Sequence, residues 1–169
     1  MALFTADDYG RLDWRLLQNG SVNLYWRPEI LSEDVAWLEA QSYLIKSFDC
    51  TGWTEEKTAL KSFGDHLGLR DFHGNSLDAL NDCLSDLAIP EESGFCVVFH
   101  RFDIPAANIP KVAHAVLDIL ENNSRYFLLH GRRLITLVQT DDPQLSFEPI
   151  GAVSVSWNPR EWLNKTRGL

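Results

Sequence analysis

One short segment of the chain constrains the fold more than any other. Phe95 to Phe99 is an almost wholly apolar run, bounded by Gly94 and by a charged stretch. A strand that is apolar on both faces is typical of a parallel sheet covered by helices. A second such run, Leu134 to Gln139, follows a helical pattern that begins at Ile109 or Pro110, as in a βαβ unit. The pattern therefore predicts an α/β fold.

The two ends of the chain predict antiparallel additions to this sheet. Leu12 to Leu17 and Val22 to Trp26 flank Asn19-Gly20, and Asn-Gly between apolar runs is typical of a hairpin because both residues tolerate positive φ. Ser32, followed by two acids, is predicted to cap a short helix. Val153 to Trp157 is the strand candidate at the other end.

Between the ends, strand and helix patterns alternate without a linker, so a single domain is predicted over residues 1–169. A strand is expected at Tyr43 to Phe48. The helix after Pro110 is expected to end at Asn122-Asn123, which leaves Tyr126 to Leu129 as a further strand candidate.

The most distinctive local pattern is an acidic amphipathic helix that begins near Ser76. At 100° per residue, Asp78, Asp82 and Asp86 fall opposite a stripe of leucines. Residues 71–100 carry six acids and no Lys or Arg, in a chain of net charge -9. Like charges four residues apart cost a helix about 0.2–0.5 kcal/mol per pair. The helix has this unfavourable spacing twice, which indicates a binding surface. The alternative is an ordinary solvated face.

Composition and motifs exclude several function classes. An acidic chain is a poor partner for nucleic acid, because phosphate binding needs cations. Cys50, Cys83 and Cys96 lack metal-ligand spacing, so no metal or other cofactor is predicted. Asp78 and Asp82 could act as an acid-base pair only if one were desolvated, and on a polar helix face neither is, so no enzyme is predicted.

The amino-terminal residues lack the basic start and apolar run of a secretory signal, and no apolar stretch approaches the roughly 18 residues of a membrane span. We therefore expect a cytoplasmic protein that does not associate with a membrane.

The residues around the acidic helix resemble the barstar family. Phe72-His73-Gly74-Asn75-Ser76-Leu77-Asp78-Ala79-Leu80-Asn81-Asp82-Cys83-Leu84 is similar to its signature, in which an aromatic pair and Gly lead into Asn-Leu-Asp-Ala-Leu, an aromatic residue and Asp-Cys-Leu. The order of predicted elements also matches over about 41–140, which leaves extensions of 1–40 and 141–169. The resemblance implies a small sheet with parallel central strands packed by helices.

Barstar-like proteins are intracellular inhibitors that insert the acidic helix and the loop before it into the basic active site of a ribonuclease. The resemblance therefore implies an immunity or antitoxin protein whose partner is a basic protein such as a ribonuclease or toxin. The partner-binding residues that it implies are Phe72, His73, Gly74, Asp78, Asn81, Asp82 and Asp86.

Some positions depart from the family pattern and leave the target open. His73 replaces the second loop aromatic, Asn81 replaces the aromatic between the aspartates, and Asp86-Leu87 stand where the family's namesake has Gly and Trp. The further acid expected on the next helix could be Asp118 or Glu121. The alternative function is a protein-interaction or regulatory module on the same scaffold without a nuclease target, and the oligomeric state stays open.

Overall fold

The computed structural model describes residues 4–69, 72 and 76–168. The helices α1 to α6 are Leu12–Leu17, Pro28–Ala40, Glu56–Leu67, Leu77–Ser85, Asp103–Asn108 and Pro110–Leu129. The strands β1 to β5 are Val22–Tyr25, Leu44–Asp49, Phe95–His100, Leu134–Gln139 and Ser156–Trp157.

The five strands form one sheet in the order β2-β3-β4-β1-β5, and every pairing between them is parallel. The predicted α/β fold with a parallel centre is confirmed. The apolar runs that predicted it lie at the centre of the sheet, where Val97 of β3 is in register with Thr136 of β4. Both residues are completely buried, as a strand covered on both faces requires.

The predicted antiparallel extensions are wrong. Leu12 to Leu17 is a helix and not the first strand of a hairpin. Its buried residues Asp13, Leu16 and Leu17 have the i, i+3, i+4 spacing of one helix face. Asp13 belongs to that face because it accepts hydrogen bonds from the Tyr43 hydroxyl and the Arg11 guanidinium, each at 2.8 Å. Burial raises the pKa of Asp13, but these hydrogen bonds and the positive charges of Arg11 and Arg133 together bring the pKa below its ordinary value.

The carboxy-terminal strand is shorter than predicted and lies parallel to β1. Helix α6 does not end at Asn122-Asn123 but continues to Leu129, so the strand predicted at 126–129 is wrong. Asn123 is instead buried within the helix and its amide donates to Ile119 O at 2.9 Å, while the neighbouring Ser124 hydroxyl donates to Leu134 O at 2.7 Å. Helix α2 begins at Pro28 and not at Ser32, since proline suits the first helical position.

Helices cover both faces of the sheet. The connection from β1 to β2 crosses the sheet in the direction opposite to the connections from β2 to β3 and from β3 to β4. Crossovers between parallel strands are right-handed, so this reversal places α2 on the face opposite to α3, α4 and α6. Successive side chains of β3 point to opposite faces of the sheet and contact the two layers in turn. Cys96 and Val98 pack with α1 and α2, whereas Val97 and Phe99 pack with the other helices.

The two terminal extensions are joined to each other by a buried polar cluster. Asp34 of α2 accepts hydrogen bonds from the Tyr25 hydroxyl at 2.7 Å and from the Asn158 amide at 3.0 Å. The Arg160 guanidinium donates to the other oxygen of Asp34 at 2.6 Å. Residues 4–40 thus supply the second helical layer, and the carboxy-terminal segment is tied to it.

Candidate partner-binding surface

Helix α4 places its acidic residues by a local cap and by the packing of its apolar stripe. The hydroxyl of Ser76 accepts a hydrogen bond from Ala79 N at 3.1 Å, which caps the helix as predicted. Leu80 and Leu84 are completely buried, in the same hydrophobic cluster as residues of α6. With one face fixed in the core, the opposite face of the helix is turned to solvent.

We expect replacement of Ser76 by alanine to lower the free energy of unfolding by about 1 kcal/mol, because the cap satisfies a backbone donor that α4 cannot. Urea denaturation would measure it. Ser32→Ala is the matched control, since Ser32 is exposed within α2 and should change stability by less than about 0.5 kcal/mol. Equal effects of the two substitutions would contradict the capping role.

The acidic residues of α4 and its C-cap are exposed to solvent. Asp78 and Asp82 lie on the helix and Asp86 is its C-cap residue. None of the three carboxylates makes a hydrogen bond or ion pair with another residue in the described part of the chain. The buried carboxylates behave differently; Glu161, for example, accepts hydrogen bonds from Arg27 N and the Asn164 amide, both at 2.9 Å. Within the described residues, no ion pair or hydrogen bond gives the acids of α4 a structural role comparable to that of Glu161.

Asp82 and Asp86 border a groove of about 650 Å³ between the end of α3 and α4. Leu67, Gly68 and Leu69 also line it, so the groove combines apolar and acidic residues. Gly68 ends α3 in the left-handed conformation, with φ of 58°, and turns the chain toward this groove. A partner that reaches the acidic face can thus also contact apolar surface.

The predicted loop residues are only partly described. Phe72 is 7% exposed and packs in the core that includes Phe63 and Leu80. It lies so close to α3 that a Cβ on Gly64 would be 2.8 Å from Phe72 Cδ1. Its ring therefore anchors the chain before α4. His73 and Gly74 lie outside the described residues, and the binding role of all three stays a prediction.

Asn81 is exposed beside Asp78 and Asp82, and it is held by a residue that the sequence reasoning missed. Its side-chain oxygen accepts a hydrogen bond of 2.9 Å from the Nδ2 of Asn123, which is 5% exposed on α6. Asn123 gave no sequence signal of this role, because an Asn pair in a helical pattern is typical of a helix end.

Neither acid considered on α6 is a free member of this surface. Glu121 is buried, and its Oε2 accepts hydrogen bonds from Ser21 N at 2.7 Å and the Ser21 hydroxyl at 2.6 Å. Asp118 Oδ1 accepts one from Gly151 N at 2.7 Å. Both carboxylates therefore bind the added terminal segments to α6.

The described residues contain no cluster of His, Cys, Asp and Glu that could hold a metal ion. Among the same residues, no helix has the length and apolar character needed to cross a membrane.

These features define a parallel α/β protein that presents the exposed acidic face of a capped helix. The sequence matches the family described as Barstar (barnase inhibitor) over residues 43–139, more than half of the 169 residues. The chain belongs to the barstar family, whose members are inhibitors and not enzymes. A comparison with curated proteins found no match. The family match runs from β2 to β4, so α1, β1, α2 and β5 lie outside it.

Proposed function

We propose that this protein inhibits a barnase-type ribonuclease by binding its basic active site with the outer face of α4 and the loop before it. The observation that carries the proposal is that the family match spans α4 and its C-cap, where Asp78, Asp82 and Asp86 are exposed and have no side-chain partner among the described residues. An active site that binds phosphates is lined with cations, and a row of carboxylates is its electrostatic complement.

The energetics of α4 support the proposal. The spacings from Asp78 to Asp82 and from Asp82 to Asp86 each carry a cost of about 0.2–0.5 kcal/mol in the free helix. A cationic partner removes this repulsion on binding. In the free protein the neighbouring carboxylates of α4 therefore repel each other slightly, and binding of a basic partner would remove this repulsion.

The direct test is to titrate barnase with the protein and follow the cleavage of an RNA substrate. We expect inhibition that is complete at a one-to-one ratio. A folded protein, verified by circular dichroism, that leaves barnase fully active at a large excess would contradict the proposal.

We expect the association rate with barnase to fall at least about tenfold when the ionic strength is raised from 0.1 M to 1 M. The Debye length decreases from about 10 Å to about 3 Å over this range, which removes steering by the acidic face. Stopped-flow mixing with tryptophan fluorescence would measure the rate. An association rate that does not depend on salt would show that the acidic face does not steer binding.

A second candidate function, a regulatory interaction module without a nuclease target, is favoured by Asn81, which is polar where the family has an aromatic residue. Under this alternative barnase stays active, and a different cellular protein is captured by the parent chain but not by Asp82→Ala. If the parent protein and Asp82→Ala both capture that protein, it binds to a surface other than the acidic face of α4.

A further inference from the structure

The contact between Asn81 and Asn123 has a defined direction. Asn123 Nδ2 donates to Asn81 Oδ1 and also to the carbonyl oxygen of Ile119, each at 2.9 Å. An amide nitrogen carries two hydrogens, so these two bonds use both of them. The side chain of Asn123 therefore has no donor left for any other group.

The backbone of α6 determines which way this amide is turned. If the amide of Asn123 were reversed, its oxygen would face the Ile119 carbonyl, and two acceptors would meet in a buried site. Two acceptors repel each other and cannot form a hydrogen bond, so this reversed orientation is disfavoured. Ile119 O thus directs the nitrogen of Asn123 toward α4.

The hydrogen bond from Asn123 also determines how the side-chain amide of Asn81 is oriented. Because its oxygen is taken by Asn123, its own nitrogen is directed away from α6, toward the exposed side of α4. No acceptor for this nitrogen is found among the described residues. The surface therefore presents a hydrogen-bond donor next to two carboxylates, which are acceptors only.

We propose that Asn123 is a positioning residue that holds the Asn81 amide as an outward donor, and that the partner places an oxygen acceptor there, beside the cations that meet Asp78 and Asp82. This inference rests on the proposed function and adds a specificity to it. A partner surface that carries only cations at this point has no acceptor for the Asn81 amide. Its cationic N–H donors would face the N–H donors of that amide.

The substitution Asn81→Asp separates this inference from simple charge attraction. It keeps the shape of the side chain and an oxygen to accept the bond from Asn123, but it replaces the donor by a negative charge. We expect binding to barnase, measured by calorimetric titration, to weaken at least about tenfold, because a carboxylate then faces the partner's acceptor. Charge attraction alone predicts tighter binding to a basic partner, and that result would overturn the inference.

Asn123→Ala tests the positioning role. We expect dissociation from barnase to become about threefold to tenfold faster, since the Asn81 amide is then free to turn. If Asn123 acts only through Asn81, the double variant Asn81→Ala/Asn123→Ala should bind like Asn81→Ala alone. Additive losses in the double variant would show a general structural effect and would overturn the positioning role. Thermal denaturation of each variant verifies that it is folded at the assay temperature.

The free protein gives a readout that does not depend on barnase. In nitrogen-15 spectra, the side-chain amide hydrogens of Asn123 should exchange slowly with water, and those of Asn81 should exchange rapidly. The reverse pattern would overturn the orientation. If the parent protein does not inhibit barnase, the proposed function fails and the inferred partner acceptor fails with it. If the parent inhibits barnase and Asn81→Asp binds more tightly, only the inference fails.

Discussion

Replacing Asp82 with alanine is expected to weaken binding to barnase by at least about 2 kcal/mol, close to thirtyfold, and mainly through faster dissociation. Asp82 is exposed, has no partner in the described part of the chain, and lies where the acidic face meets the groove beside α3. A carboxylate in the position of a substrate phosphate would meet several cationic donors at once. Its truncation leaves those donors buried and unpaired, which is more costly than the loss of a charge at the rim.

The same substitution should leave the free energy of unfolding unchanged or raise it by up to about 0.7 kcal/mol, because alanine is a better helix former than aspartate. Urea denaturation and calorimetric titration with barnase, performed on the same preparation, separate the two effects. A loss of stability would show that Asp82 is a structural residue.

Glu39→Ala is the matched control for Asp82→Ala. Glu39 is an exposed acid of α2, on the opposite side of the sheet, and its side chain has no partner among the described residues. Its removal changes the net charge by the same amount and should change the binding free energy by less than about 1 kcal/mol. If Asp82→Ala and Glu39→Ala bind barnase equally well, α4 is not the binding face.

Asp34→Ala is expected to lower the free energy of unfolding by about 2–4 kcal/mol, because it removes a buried acceptor that a hydroxyl, an amide and a guanidinium share. The hydroxyl of Tyr25, the amide of Asn158 and the guanidinium of Arg160 all donate to this carboxylate. Tyr25 is completely buried, and its hydroxyl would be left without its acceptor. Chemical denaturation followed by tryptophan fluorescence would measure the loss.

Asp34→Asn should be less destabilising than Asp34→Ala. Burial raises the pKa of Asp34 above its ordinary value, although the donors from Tyr25, Arg160 and Asn158 oppose this. An acid with a raised pKa binds its proton more readily in the folded state, so its contribution to stability is larger at low pH and falls as the pH rises through the folded pKa. Asparagine keeps one acceptor oxygen and removes the charge that burial disfavours.

Glu33→Ala is the control for the Asp34 cluster. Glu33 is the neighbouring acid and binds the same guanidinium, with Arg160 Nη1 at 2.5 Å from its Oε2, but its side chain is 68% exposed. An exposed pair of this kind contributes about 1 kcal/mol or less. If Asp34→Ala destabilises the protein no more than Glu33→Ala, the cluster does not hold the two extensions together.

Several features of the fold and of the candidate surface follow from local sequence. The apolar run at Phe95 to Phe99 predicted a central strand of a parallel sheet, because only strands covered on both faces are apolar at every position. Ser76 predicted the start of α4, and the leucine spacing predicted which side of it faces the core. These signals are local: the cap acts within three residues and the stripe repeats at the helical period.

Other features depended on contacts between residues far apart in the sequence. Asp13, Asp34 and Glu121 carry a carboxylate as Asp82 does, yet they are buried. Nothing in the sequence near them distinguishes the two groups. A buried carboxylate is stable only where donors satisfy it, and these donors come from distant positions, such as Asn158 for Asp34 and Ser21 for Glu121.

The sequence by itself determined the α/β class, the parallel centre of the sheet and the acidic face of α4, since each follows from a local period or cap. Only the tertiary structure decided that Leu12 to Leu17 is a helix, that β5 is parallel to β1, and that Asn123 turns the amide of Asn81 outward. The helix at Leu12 to Leu17 and the Asn81 amide share one physical reason: a polar side chain such as Asp13 or Asn123 is buried only where a distant partner completes its hydrogen bonds. The direction of β5 likewise depends on backbone pairing with β1, which is distant in the sequence and brought beside it by the fold.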